Sequence, residues 1–242
     1  MKRMIKISIL TSMVMALGLG PSLHAQKKVY TTYSGEMIFQ GSEVDRSGNH
    51  VPTNMRWTVF FHLGSYVNFD FTDYIGMYSG LAIRNVGFIS NENIDFDGTE
   101  KFTKTIRRTY NLGIPLALKL GTFDKHFFIF GGAEYELLFH YKEKWWPDGD
   151  GNRKNTKVKY TEWFSDRTPT FIPSAFAGIQ FPGGLNIKFK YYLQNFMNKD
   201  FRDSDGNYPY SDLNVNLFYV SVSWNFSYNS VTRMWADDQA MR

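Results

Sequence analysis

The chain contains no cysteine in its 242 residues. That excludes disulfides, a thiol nucleophile, thiolate metal sites and a lipid-modified N-terminal cysteine. It lacks a long apolar run beyond its first residues, and its mean hydropathy is −0.35, so membrane-crossing helices are not expected. An excess of one charge sign is missing too. Against 23 Asp and Glu stand 27 Lys and Arg, a net of +4 and too balanced for a nucleic-acid surface. Histidine is scarce, and His50, His62, His126 and His140 show no metal-ligand spacing. No cofactor and no metal is expected.

Aromatic residues are plentiful: 22 Phe, 15 Tyr and 6 Trp make up 18% of the chain. These are strand formers, and they also girdle membrane barrels at both interfaces. Their arrangement is most telling from Asn214 to Tyr228. There Phe218, Val220, Val222, Trp224, Phe226 and Tyr228 alternate with Tyr219, Ser221, Ser223, Asn225 and Ser227. A period of two puts one bulky apolar face and one small polar face on an extended strand.

Residues 1–25 read as a cleaved export signal. Lys2, Arg3 and Lys6 precede an apolar run from Ile7 to Gly20, then Pro21 and Leu23-His24-Ala25, with cleavage expected before Gln26. Residues 26–242 then form one domain with a short periplasmic tail from about 229. Eight strands are expected near 31–42, 54–69, 73–90, 103–121, 125–143, 168–181, 184–197 and 213–228. Tight turns at Asp70–Asp73, Gly121–Lys125 and Pro182–Gly184 alternate with long polar loops at 43–53, 91–102, 144–167 and 198–212. Short periplasmic turns and long outer loops are the habit of outer-membrane barrels. The expected fold is therefore all-β, an eight-stranded antiparallel up-and-down transmembrane β-barrel, located in a bacterial outer membrane.

The apolar face must point outward. An eight-stranded interior is only wide enough to be filled by side chains. It could not take Trp57, Phe61, Leu63, Phe69, Tyr135, Leu137, Phe139, Leu185, Ile187, Phe189 and Tyr191 besides the last strand. The polar face becomes the lumen, with Glu36, Arg56, His62, Arg84, Arg107, Lys119, Glu134, Glu136, His140, Lys188 and Lys190. Buried charges persist when paired, so Glu134 and Glu136 are expected to meet lumen cations such as Lys119 or Arg107, within an interior of excess positive charge. At the outer end of the fifth strand, Lys142, Lys144, Trp145 and Trp146, with Trp163 and Arg167 across the third loop, form an aromatic and basic belt. Such a belt suits outer-membrane lipid, lipopolysaccharide included.

Each long loop carries an Asp/Asn/Gly turn: Asp45–Asn49, Asp95–Thr99, Asp148–Asn152 and Asp203–Asn207. A calcium loop would place Glu at its twelfth position, where Lys159 and Asn214 stand instead. A barrel acyl hydrolase would need a Ser with a His near it. The stretch Tyr191–Asn198 is similar in outline to the lipid A deacylase motif, but Leu193 and Asn195, or Tyr192 and Gln194, occupy the two positions.

Several segments taken together resemble the PorT-like outer-membrane β-barrel family of Bacteroidota. They are Leu23-His24-Ala25-Gln26, Tyr110-Asn111-Leu112-Gly113-Ile114-Pro115-Leu116, Phe130-Gly131-Gly132-Ala133-Glu134-Tyr135, Tyr191–Phe196 and the aromatic last strand. The resemblance implies an outer-membrane barrel without enzymatic activity, some relatives being secretion components. The expected function is an accessory or anchor in an outer-membrane assembly, with other envelope proteins as partners. The alternative is a lipid-modifying enzyme or a narrow conduit.

Overall fold

The computed structural model describes residues 28–90, 104–145 and 158–227. The export signal, Trp146, the Asp95–Thr99 and Asp148–Asn152 turns and the tail from 229 lie outside the described residues. In chain order the strands are β1 (Lys28–Arg46), β2 (Asn49–His50), β3 (Thr53–Asn54), β4 (Arg56–Thr58), β5 (Leu63–Asp70) and β6 (Ile75–Ser90). They continue as β7 (Thr105–Thr122), β8 (Phe127–Trp145), β9 (Val158–Trp163), β10 (Phe171–Gln180), β11 (Leu185–Tyr192) and β12 (Leu213–Ser227).

Neighbours in sequence are neighbours in space. The order β10-β11-β12-β1-β5-β6-β7-β8 returns on itself through a β8–β10 pairing, so the sheet is a closed eight-stranded antiparallel ring. Closure joins the two ends of the ring: β1 and β12 pair from Arg46↔Leu213 to Thr32↔Ser227. Each of the eight strands of the ring has a neighbour on both sides, so closure pairs most of the backbone within the sheet.

Tight turns lie on one rim. Phe71 N–H and Thr72 N–H donate to Ile75 C=O, His126 N–H to Phe123 C=O, and Phe181 N–H to Leu185 C=O. Gly183 and Gly184 take φ of 84° and 83°, open to glycine at no steric cost, so Pro182–Gly184 can reverse the chain in one short turn. The opposite rim carries the long connections. These rims are called the turn rim and the loop rim below.

Three departures from the expected strands have local causes. The second strand is not continuous: it divides into β3, β4 and β5, and the chain bows out at Val59–His62 with Phe61 at a φ of 65°. The expected third loop is partly a strand, because β9 pairs with β8 from Trp145↔Val158 to His140↔Trp163 and carries the sheet past the ring. The expected seventh strand, 184–197, ends at Tyr192. Beyond it Asn195 donates to Leu213 C=O and accepts from Met197 N–H and Val215 N–H, which turns the chain over the barrel mouth. In addition, the β6–β7 ladder runs through Ser79↔Leu116 and resumes at Ala82↔Gly113. Pro115, which has no N–H, sits in that gap, and its carbonyl takes the Ser79 hydroxyl instead.

Outside, the wall is apolar. Trp57, Leu63, Leu81, Ile114, Leu116, Leu118, Ile129, Tyr135, Phe189, Val220, Trp224 and Phe226 are all exposed. A patch of that size around a whole circumference belongs against lipid.

Candidate functional site

The interior is layered. In its middle, Glu36, Glu134 and Glu136 alternate with Arg84, Lys188 and Lys190. Arg84 Nε donates to Glu36 at 2.9 Å, and its Nη1 pairs with Glu134. Lys190 bridges Glu134, at 2.8 Å, and Glu136, while Lys188 pairs with Glu36. Neutral donors fill the remaining lone pairs: Ser221 to Glu36 at 3.0 Å, Asn111 to Glu136 at 2.7 Å and the Tyr192 hydroxyl to Glu136 at 3.1 Å. Three carboxylates and three cations leave this layer neutral. Gly113 makes room for it, because a Cβ there would overlap the Glu134 carboxylate.

Strand geometry explains the assembly. Glu134 and Glu136 are two apart on β8, hence on one face, and β11 places Lys188 and Lys190 likewise. β10 lies between those two strands and at this level presents Ser174 and the flat Phe176 inward, so the lysines can reach across it.

Nearer the turn rim, Lys119 pairs with Asp70 at 2.6 Å and donates to Asn68 at 3.0 Å, among the rings of Tyr30, Phe123 and Phe128. Nearer the loop rim, Arg107 pairs with Glu143 at 2.7 Å, and Tyr141 donates to the same carboxylate at 2.8 Å. Glu134 and Glu136 thus meet the lumen cations Arg84 and Lys190 rather than the two examples expected, Lys119 and Arg107. Those cations sit in separate layers with Asp70 and Glu143, two interior carboxylates that alternation did not single out.

Glu143 was missed because of a bulge. The β7–β8 register slips between Tyr110↔His140 and Asn111↔Leu138, leaving Phe139 extra. Every residue beyond it changes face. Glu143 and Tyr141 turn inward. His140, expected in the lumen, turns out to stack on Tyr110 at 5.7 Å and against Trp163 at 4.5 Å. His62 stays buried, bonded to Thr58 at 3.1 Å. With Asp70 and Glu143 counted, five buried carboxylates face six buried Lys and Arg among the described residues, so the expected positive excess shrinks to one charge.

The interior is also less polar than expected. Its loop-rim half is an apolar core of Ile38, Val44, Val86, Phe88, Ile172, Leu213, Val215 and Leu217. Into this core the 193–212 segment inserts Phe196, Met197 and Tyr210, all fully buried, and so closes the mouth. Arg167 helps hold the closure. It donates to the Tyr210 hydroxyl at 3.1 Å and lies over the rings of Tyr160 and Phe201 at 4.7 and 4.8 Å. It is thus part of the cap rather than of the belt.

Within the cap, burial raises the Tyr210 hydroxyl. At Asp212, desolvation acts to raise the carboxyl, but the Ser47 hydroxyl and Arg46 hold it below the ordinary carboxylate value. Asp203 is lowered in the same way, by amide donors from Asn207, Asp205 and Gly206 overcoming desolvation. The Asp203 turn thus spends its oxygens on its own backbone: Oδ1 accepts from Asn207 N–H at 2.7 Å and Asp205 N–H at 3.0 Å. Of the belt, Lys142 lies over the Tyr110 ring at 5.2 Å, and Trp163 stacks on Phe139 at 5.9 Å. Lys144 follows on the same face of β8, whereas Trp145, two residues past Glu143, takes the inward face because of the bulge and leaves the belt. At the turn rim a vestibule opens to solvent, lined by Thr32, Asn68, Tyr78, Phe130, Gln180 and Asn186. Its inner end is stopped by the charged layer.

A closed eight-stranded ring with an apolar exterior and a filled, charge-paired interior is a transmembrane β-barrel, and such barrels sit in bacterial outer membranes. No family model matches the chain, and no curated protein matches it. Among solved structures it is similar to the attachment invasion locus protein Ail of Yersinia pestis. That pair shares 11% identity over 81% of this chain and 99% of Ail, with a TM-score of 0.39. Neisserial surface protein A is 9% identical over 83% of this chain and 97% of its own, at 0.37. The outer membrane protein OprG of Pseudomonas aeruginosa is 11% identical over 85% and 99%, also at 0.37. The barrel assignment rests on the strand ring and its apolar face.

Proposed function

We propose that this barrel is a non-enzymatic component that anchors or assists an assembly in the outer membrane, with protein secretion as the candidate process. The observation that carries the reading is the double closure of its interior. The charged layer fills the middle, and Phe196, Met197 and Tyr210 fill the loop-rim mouth. A barrel closed twice acts through its surfaces. The loop rim supplies one: β8 and β9 extend past the ring, and the cap braces the mouth beside them. In the proposed orientation the loop rim faces the cell exterior and the turn rim the periplasm, following the rule that turns are short inside and loops long outside. The resemblance to PorT-like barrels supports a secretion role. Lys142, Lys144 and Trp163, on the outer wall near the loop rim, suit contact with lipopolysaccharide headgroups.

The test uses two deletions in the native host, residues 144–167 and, separately, 229–242. Each strain is assayed for secretion, for crosslinked partners and for lipid A structure. Loss of secretion or of a specific crosslink with unchanged lipid A supports the reading. Normal secretion, intact crosslinks and altered lipid A in both strains refute it in favour of the lipid-modifying alternative.

A further inference from the structure

Among the described residues the barrel wall has a seam along β6. β5 pairs with β6 up to Leu63↔Ile83, and β3 resumes the pairing at Asn54↔Ile89. Between them β4 pairs only with β1, so β6 from Arg84 to Phe88 has no ladder partner on that side. Three side chains replace the missing ladder. Asn85 N–H donates to His62 Nδ1 at 3.3 Å, Arg56 donates to Asn85 C=O at 3.0 Å, and Gly87 N–H donates to Gln40 Oε1 at 3.0 Å.

Arg56 is the odd member of the interior. It is 93% buried, yet its partners are the neutral Gln40, at 3.2 Å, and Asn85. Arg84, Arg107, Lys119, Lys188 and Lys190 each face a carboxylate, whereas Arg56 has none among the described residues. A further cation, Arg108, acts on it from across the ladder, where it stands opposite Gly87. Beside it the Gln40 amide nitrogen is buried without an acceptor. A buried cation and a buried amide donor, both lacking an anion, form a site one acceptor short.

The lipid side of the seam has its own character. Met55, Trp57, Val59, Phe60 and Phe61 all project from the wall, Phe60 with 79% of its surface exposed. Phe61 lies edge-on to Tyr110, over whose ring the Lys142 ammonium sits. The positive φ of Phe61 is a conformation that aromatic residues rarely adopt, which marks Val59–His62 as a strained bow in the wall. Aromatic side chains at this level beside Arg108 and Lys142 match the boundary between acyl chains and headgroups.

We propose that this seam binds the phosphate of an outer-leaflet lipid, with Arg56 and the Gln40 amide as donors and an acyl chain along Val59–Phe61. Guanidinium binds phosphate through paired N–H donors, and Gln40 supplies a third without added charge. Arg108 and Lys142 draw the anion to the mouth. The inference uses the outward orientation of the loop rim but no protein partner, so it stands or falls separately from the assembly role.

The test is native mass spectrometry of the full chain refolded in detergent. It is offered phosphatidic acid, phosphatidylcholine and laurate, and in a separate arm phosphatidic acid with millimolar inorganic phosphate. Phosphatidic acid should bind about tenfold or more over phosphatidylcholine, and Arg56→Gln should remove that preference. Inorganic phosphate should fail to displace the lipid. Equal binding by wild type and Arg56→Gln overturns the site, and so does equal binding of the two phospholipids. Displacement by inorganic phosphate overturns the lipid assignment, and preference for laurate overturns the phosphate. Should Arg56→Gln fail to refold, Phe60→Asp carries the test, since that residue is exposed and its carboxylate places a repelling charge at the mouth. It should bind phosphatidic acid several-fold more weakly, and unchanged binding refutes the proposal.

Discussion

Glu134 is the residue on which the charged layer should be tested. Its side chain is almost wholly buried and bridges Arg84 to Lys190. Removing it leaves two carboxylates against three cations in a region with no water to spare. Two opposite charges about 4 Å apart attract by about 4 kcal/mol at the effective dielectric of a protein. Arg84 keeps Glu36 and Lys190 keeps Glu136, so the loss is that of one stranded charge rather than two. Breaking a buried pair costs about 3–5 kcal/mol, a large part of a typical total stability of about 5–15 kcal/mol. For a chain of this size that is a fall of about 6–20 °C in unfolding temperature. Heat-modifiability on gels, supported by urea titration of the refolded barrel, reads the change. Glu134→Gln keeps the volume and loses the charge, so it separates electrostatics from packing. The double variant Glu134→Ala/Lys190→Met restores equal numbers of each sign and should recover part of the loss. If Glu134→Ala and Glu136→Ala both unfold at the wild-type temperature, the charge-plug account is wrong.

Other outcomes follow from the same geometry. In intact cells a maleimide should label Asp205→Cys, on the loop rim, and spare Gly183→Cys and Phe123→Cys on the turn rim; labelling of Gly183→Cys would reverse the orientation. Planar-bilayer recordings of the refolded chain should show no large steady conductance, since wide bores open only at about 16 strands or more, and nanosiemens openings would contradict the filled interior. The cap should loosen in acid. Asp212 and Asp203 are lowered from an ordinary value of 3.8, so their contribution is fully present above that pH and is lost as the pH falls through their folded values. Proteolysis of the 193–212 segment should therefore rise below about pH 4 in the wild type and already at neutral pH in Asp212→Asn; equal cleavage of the two proteins across the range would count against the Ser47 and Arg46 contacts as the brace.

Period-two alternation is a local property, and it was legible wherever a strand ran unbroken. The inward or outward sense of Glu36, Arg84, Glu134, Glu136, Lys188 and Lys190 can be read along a single strand, because each stands an even number of residues from its neighbours on one face. Tight turns were readable for a similar reason, Gly183 and Gly184 being the residues a short reversal demands. One extra residue defeats that reading. The Phe139 bulge reversed the faces of His140 and Glu143, and the bow at Val59–His62 opened a seam where alternation implied a continuous wall.

The amino-acid sequence by itself determined the ring: strand number, loop rhythm, an apolar exterior and a charged interior all follow from periodicity and turn chemistry. Only the tertiary structure decided which carboxylate meets which cation. Ring closure sets the depth of each side chain, and depth is why Lys119 finds Asp70, Arg107 finds Glu143, and Arg84 finds Glu36 and Glu134. The cap was a tertiary decision as well. Phe196 and Met197 stand at the end of the expected seventh strand and Tyr210 in the polar connection after it, and they became core because a barrel whose loop-rim half is lined with Ile38, Val86 and Leu217 gives apolar side chains a dry place to go.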